Sequence, residues 1–182
     1  MAMPTRLRPA DYRRMRWKNG GGWTSEVAVQ PGEGDEFAWR ISIAEIETDG
    51  DFSRFPGVDR SILVLDGAGM TLDVEGVGAV GLQAGGAALA FSGEVAVQCR
   101  LSAGPTRDFN VMTRRGAYVH TLERHALVEP LALRGECLVY VLSGSAQAGP
   151  LVLAAGDSLR VEAGPVLLRG TAALVLARLR AR

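Results

Sequence analysis

The sequence predicts an all-β protein made of two small barrels, and three observations carry that expectation: glycine-rich composition, short apolar runs with strand alternation, and an internal repeat. The 182 residues include 23 glycines, with 6% aromatic and 47% apolar residues. That glycine content suits many short strands joined by tight turns, because each glycine inside a helix costs ~1 kcal/mol. The length admits one large domain or two small ones, and either buries a fair core.

The repeat supplies the order of the elements. Ile62–Gly69 followed by Val80–Leu89 reappears as Leu138–Ser145 followed by Leu151–Leu159. Each copy reads strand, glycine turn, strand, glycine turn, strand. A further apolar stretch follows each copy, at Val95–Leu101 in the first and at Val166–Leu168 with Ala173–Leu179 in the second. Short runs punctuated by glycine at this spacing mark a sandwich or closed barrel, and the i, i+3, i+4, i+7 pattern of a helical solenoid is missing. Partial helical character is confined to Pro9–Met15. With no linker-like stretch, the halves are expected to be packed together, an N-terminal barrel over residues 1–115 and a C-terminal barrel over 116–182, with some interleaving of strands allowed. The second copy's pattern of strand, Leu-x-Gly, strand, Ala-Gly-Asp-x-Leu and strand resembles the core of the cupin superfamily.

Charge and cysteine usage narrow the partners. Lys+Arg and Asp+Glu are both 20, so the net charge is zero and neither nucleic acid nor an anionic membrane is indicated; any ligand must be recognised locally. Cys99 and Cys137 sit in apolar strand-like surroundings without CxxC spacing and read as buried free thiols. Residues 1–16 are rich in arginine but lack the apolar core of a secretory signal, and no segment reaches ~18 consecutive apolar residues. The expected location is the cytoplasm.

Four polar clusters could carry chemistry. Trp17–Glu26 holds Lys18 and Asn19 before three consecutive glycines; on its own this reads as a flexible turn opening a strand, and the spacing is wrong for a phosphate loop. In Phe37–Glu45, Arg40, Ser42 and Ala44 share one strand face while Trp39, Ile41 and Ile43 share the other. If the Arg40 face looks into a barrel, its guanidinium requires an internal carboxylate or a bound anion; if it looks at solvent, Arg40 is ordinary. Gly50–Arg60 is a loop with two aromatics, Phe52 and Phe55, which read as loop anchors, and Arg60 is a candidate second cation at a barrel mouth. Gly104–Arg115 places Asp108, Asn110 and Met112 on one face, with Asp108 as the expected partner of one of the arginines.

Together these stretches resemble the HutD/Ves family of bicupins. The matching motifs are WKNGGGWTSEVA (Trp17–Ala28), WRISIAEI (Trp39–Ile46), GDFSRFPGVDR (Gly50–Arg60), FSGE (Phe91–Glu94) and GPTRDFNVMTRR (Gly104–Arg115), in the family's order and spacing. Only Trp23 and Asp51 depart from it, standing where the family varies and where it usually has Pro. The resemblance implies two jelly-roll barrels with a ligand pocket in the first, and a regulatory or small-molecule-binding role in histidine catabolism. Carried onto this chain, the implied ligand-binding residues are Lys18, Asn19, Thr24, Glu26, Arg40, Ser42, Arg60, Asp108 and Asn110.

Enzyme and binder are weighed on the same residues. A catalytic metal centre needs about three protein ligands and an open position, whereas this chain has only His120 and His125, outside both repeat cores. No metal or other cofactor is expected, and no Ser or Cys lies in an elbow motif with a His base. The reading ranked first is a sensor or sequestering protein for a small anionic metabolite such as urocanate or formylglutamate. A metal-independent isomerase or hydrolase using Asp108 or Glu26 ranks second. A protein-interaction or structural role, with the second barrel forming a homodimer surface, ranks third.

Overall fold

The computed structural model describes residues 3–182. The strands are β1 (Thr5–Leu7), β2 (Arg13–Arg16), β3 (Gly22–Pro31), β4 (Phe37–Ile46), β5 (Gly50–Asp51), β6 (Val58–Gly67), β7 (Met70–Val74), β8 (Gly78–Leu82), β9 (Leu89–Ser92), β10 (Val97–Leu101), β11 (Thr106–Arg114), β12 (Tyr118–Leu127), β13 (Leu131–Leu133), β14 (Cys137–Ala148), β15 (Leu151–Ala154), β16 (Ser158–Val161) and β17 (Val166–Ala181). The all-β expectation holds. The helical character read at Pro9–Met15 does not: only a 3-10 turn, Pro9–Asp11, forms before Arg13–Arg16 enters a sheet. Pro9 presets the turn and Asp11 closes it by accepting from the Arg8 amide at 2.8 Å.

Two compact units result, one spanning Arg13–Tyr118 and the other combining the residues up to Tyr12 with Val119–Arg182. Beside the division expected at 115/116, the units part at Tyr118/Val119, and the N-terminal segment joins the second unit, an interleaving that the expectation allowed. β1 pairs antiparallel with β16, Thr5 opposite Arg160 and Leu7 opposite Ser158. The Tyr12 hydroxyl fixes the end of this segment, 2.7 Å from the Gly156 carbonyl and 2.8 Å from the Ser158 hydroxyl. Three residues carry too little alternation to name their partner strand, so sequence proximity misassigns them.

In the unit Arg13–Tyr118 a six-stranded sheet, β2-β3-β4-β11-β6-β9, faces a four-stranded one, β5-β10-β7-β8. Ala44, Ile46, Ile62, Val64 and Phe91 from the first share a core with Met70, Leu72, Val74, Val97 and Cys99 from the second. The chain crosses between sheets at Gly67–Gly69. Gly67 has φ +99, and a Cβ there would meet the Pro105 carbonyl oxygen at 2.5 Å, so the crossing demands glycine.

The other unit is a single seven-stranded sheet, with β14 and β17 as its long central pair. β14 pairs β16 through Cys137–Tyr140 and β15 through Ser145–Ala148, so one strand serves two partners. A register shift between Val141 and Ser143 lies between the two stretches, which is how a bulge turns a strand around a corner. Gly144, expected to be a turn between strands, instead lies inside continuous β14 with φ +80. The side chains of Leu133, Val139, Leu153, Leu159, Leu174 and Leu176 fill the enclosed core. Both cysteines are buried free thiols.

Candidate functional site

The site is built on the inner face of the six-stranded sheet, where register decides which side chains meet. Arg40 of β4 lies opposite Met112 of β11, which lies opposite Arg60 of β6. The next row inward aligns Glu26, Ser42, Asn110 and Ile62, and the row beyond it Thr24, Ala44, Asp108 and Val64. Residues opposite one another in antiparallel strands point to the same face, so two arginines, two carboxylates, an amide and two hydroxyls project one way. The row after that sets Ile46 between Gly22 and Thr106, and Ile46 joins the core. The polar rows border a cavity of about 530 Å³, within the usual range for small-molecule sites.

Aromatic and sulfur side chains complete the wall. Trp17, Phe52, Phe55, Met15 and Met112 line the cavity alongside the polar groups. Trp17 and Phe52 meet edge to face with centroids 6.4 Å apart, and the Trp17 indole N–H donates to Thr24 Oγ1 at 2.8 Å. The triple glycine makes this approach feasible: Gly22 lies where any Cβ would collide with the Glu45 carbonyl oxygen and press on the Trp17 ring. The sequence WKNGGGW is thus a built wall. Asn19 Oδ1 accepts the Gly21 amide at 2.9 Å, which holds the turn in shape.

The two arginines are held differently. Arg40 donates from Nε to Glu26 Oε2 at 2.8 Å, with both side chains about one-sixth exposed. Arg60 is only 6% exposed; it donates from Nη1 to the Ser53 carbonyl at 3.2 Å and sits 5.2–5.8 Å from the ring centroids of Phe52, Phe55 and Phe91. Its Nε has no partner. Burial pushes Arg60 down to about 10, partly countered by Asp108, with Arg40 acting in the same direction as burial. It remains a cation at neutral pH.

Asp108 is 1% exposed, and its Oδ1 has no hydrogen-bond partner; the same holds for Oδ1 of Asn110. Burial pushes the Asp108 carboxyl up to about 7, against the pull of Arg60. No ion pair joins Asp108 to an arginine among the described residues, so the expected pairing is corrected: the carboxylate that answers Arg40 is Glu26. Buried polar atoms without partners are costly and rare in folded proteins, and three in one cavity are concentrated where a ligand would satisfy them.

The HutD family model matches residues 9–176. The chain belongs to the HutD family. It is 52% identical over 107 residues to an uncharacterised 21.2 kDa protein in the hutC 3′ region of Pseudomonas putida, a match that spans 58% of this chain and only 56% of that protein. With protein Ves of Escherichia fergusonii it shares 37% identity over 150 residues, covering 79% and 76% of the two chains. The structure of HutD from Pseudomonas fluorescens SBW25 superposes with a TM-score of 0.89 at 36% identity, covering 99% of this chain and 100% of that one. A cupin 2 conserved barrel domain protein from Leptotrichia buccalis superposes with a TM-score of 0.59 at 13% identity, over 86% of this chain and 88% of that one, and shows the fold alone to be cupin-like.

In this HutD-family chain, eight of the nine residues singled out in the sequence border the cavity: Lys18, Asn19, Thr24, Arg40, Ser42, Arg60, Asp108 and Asn110. Lys18 and Asn19 are exposed at its mouth, while Ser42, Arg60, Asp108 and Asn110 are buried. Glu26 does not line it and acts through Arg40. Sequence reasoning missed Trp17, Met15 and Met112 as wall residues and took Phe52 and Phe55 for loop anchors. The signal was present, since all five lie within or beside the motifs. Arg115, another motif arginine, is occupied on the outside by Asp59, Glu94 and Ser92. His120 and His125 both lie on β12, outside the unit that holds the cavity.

Proposed function

We propose that this HutD-family chain binds a small carboxylate metabolite in the cavity of unit Arg13–Tyr118 and serves as a regulatory protein of histidine utilisation. The observation that carries the reading is Arg60: a buried guanidinium with an unpartnered Nε, beside a second arginine that donates to Glu26 through Nε. A carboxylate supplies the charge-assisted acceptor that Arg60 lacks, and a guanidinium edge receives it in a two-pronged contact. Ser42 and Asn110 read polar groups on the rest of the molecule, while Trp17, Phe52 and Phe55 shield the contact from water. The name of the Pseudomonas putida relative, placing it in the hutC 3′ region, makes urocanate and formylglutamate the first compounds to try.

Thermal shift and calorimetry on the purified chain test this, with both acids and with added divalent metals or chelator as controls. Saturable binding without turnover, lost in Arg60→Ala, supports the reading; failure of every acid to bind removes it. A second reading, a metal-independent isomerase or hydrolase, is favoured by one observation, the Asp108 carboxyl poised near neutrality inside the cavity. Its test is product formation that Asp108→Asn abolishes.

A further inference from the structure

We propose that the cavity takes up its anion together with a proton, and that Asp108 carries that proton, so that ligand occupancy responds to pH. The inference rests on the carboxylate-binding reading and concerns how that site is regulated. Its basis is a charge count made on the groups that face Asp108. On the cavity face of flanking β4 the charge is Arg40, already answered by Glu26 from β3, while Glu45 of that strand is held by Arg14. On the cavity face of flanking β6 it is Arg60, while Asp59 and Asp66 of that strand are held by Arg115 and Arg107. From the opposing sheet, β10 offers Cys99, whose buried thiol is pushed up to about 12 and stays neutral. At the mouth are Lys18, Asp51 and Arg16, the last of these paired with Glu47.

Among the inner groups, then, an ionised Asp108 leaves no net charge: Arg40 cancels Glu26 and Arg60 cancels Asp108. A protonated Asp108 leaves one net positive charge, aimed at the cavity. Only the second state attracts an anion without also burying a like charge beside it. Asp108's surroundings favour that state, because its strand partners on the same face are Ala44 and Val64 and its Oδ1 meets no donor. A protonated carboxyl is also a donor, which an ionised one is not, and so contributes a hydrogen bond to the bound acid. The unpartnered Oδ1 at the cavity wall is thereby accounted for by the ligand it helps to hold.

Formylglutamate and acetate are the probes, since neither titrates between pH 6 and pH 8.5. Calorimetry of the full chain in two buffers of unlike ionisation heat should show uptake of about one proton per anion at pH 8.5, with affinity weakening toward tenfold per pH unit above neutrality. In Asp108→Asn the pH dependence should flatten and proton uptake should vanish. A ligand-independent arm follows the side-chain carboxyl carbon of Asp108 by NMR in the unliganded wild-type chain, where titration near neutrality is expected. Binding that is equal at pH 6 and pH 8.5 without proton uptake overturns the proposal, and if Arg60→Met still weakens that binding, the carboxylate reading stands alone. Titration of Asp108 in the ordinary carboxylate range overturns it as well. If neither anion binds at either pH, both readings fall.

Discussion

Arg40 and Glu26 sit on adjacent strands yet not opposite one another: Glu26 faces Ser42 across β3 and β4, and its carboxylate reaches diagonally to Arg40 Nε at 2.8 Å. A register shift between Glu26 and Ala28 places Val29 rather than Ala28 opposite Arg40, so the directly opposed side chain offers it no acceptor and the diagonal carboxylate does. The pair holds Arg40 at the cavity wall. Removing the carboxylate leaves a mostly buried cation unanswered. Glu26→Ala should lower the unfolding free energy by about 1–3 kcal/mol, between the values for exposed and for fully buried pairs. A double-mutant cycle with Arg40→Ala in urea checks it: the double variant should cost less than the sum of the single ones.

Arg60 is expected to behave in the opposite way. Its charge is buried without a carboxylate in contact, so the fold gains little from it and the ligand gains much. Replacing a buried charge with an apolar residue of similar volume is often neutral or stabilising. Arg60→Met should therefore keep or raise the melting temperature of the unliganded chain while weakening anion binding about 10–100-fold, the loss expected for hydrogen bonds to a charged group. A large fall in unliganded stability would instead make Arg60 a structural residue.

Much of this was legible in the sequence, for reasons particular residues make clear. The strand alternation of Trp39–Ala44 and of Asp108–Met112 placed the polar residues on one face, and glycine spacing placed the turns. Which face looked inward was not legible, because the opposite face is apolar and buried too: Trp39, Ile41, Phe109 and Val111 are all fully enclosed. Alternation reports two faces and cannot say which of two buried faces borders a cavity. The partner of Arg40 was hidden because the register of β3 against β4, which sets Glu26 diagonal to Arg40, leaves no compositional mark. Gly144 looked like a turn because glycine with positive φ serves turns and bent strands alike.

Asp108 also gives the unliganded chain a distinctive pH dependence. Its folded value, about 7, lies above its ordinary 3.8, so between these values the folded chain holds a proton that the unfolded chain has released. Stability from this group is fully present below the unfolded value and is lost as pH rises through the folded one. Between pH 4 and pH 8 the wild type should lose roughly 2–4 kcal/mol relative to Asp108→Asn. Glu94 works in the reverse sense: hydrogen bonds from Arg115 hold it down at about 2, so its contribution is present above 4.5 and lost as pH falls toward 2. Urea titrations at pH 3, 5, 7 and 8.5 on both chains separate the two ends of the curve.

The three consecutive glycines should differ sharply in tolerance, although the sequence makes them look equivalent. At Gly22 a Cβ would strike the Glu45 carbonyl oxygen, a backbone atom fixed by the β3 to β4 ladder, and would also press on the Trp17 ring. At Gly21 the nearest atom is Thr48 Oγ1 at 2.9 Å, the end of a side chain that can turn away. At Gly20 nothing lies within 4 Å, but φ is +73, so alanine pays only the backbone cost of the left-handed region, about 1 kcal/mol. Gly22→Ala should therefore displace Trp17 from the cavity wall, costing more stability than Gly20→Ala or Gly21→Ala and weakening anion binding with it. Tryptophan fluorescence and melting temperature of the three variants decide the matter: equal effects at all three positions would mean that the glycines serve as a flexible turn and not as the close-packed support of the Trp17 wall.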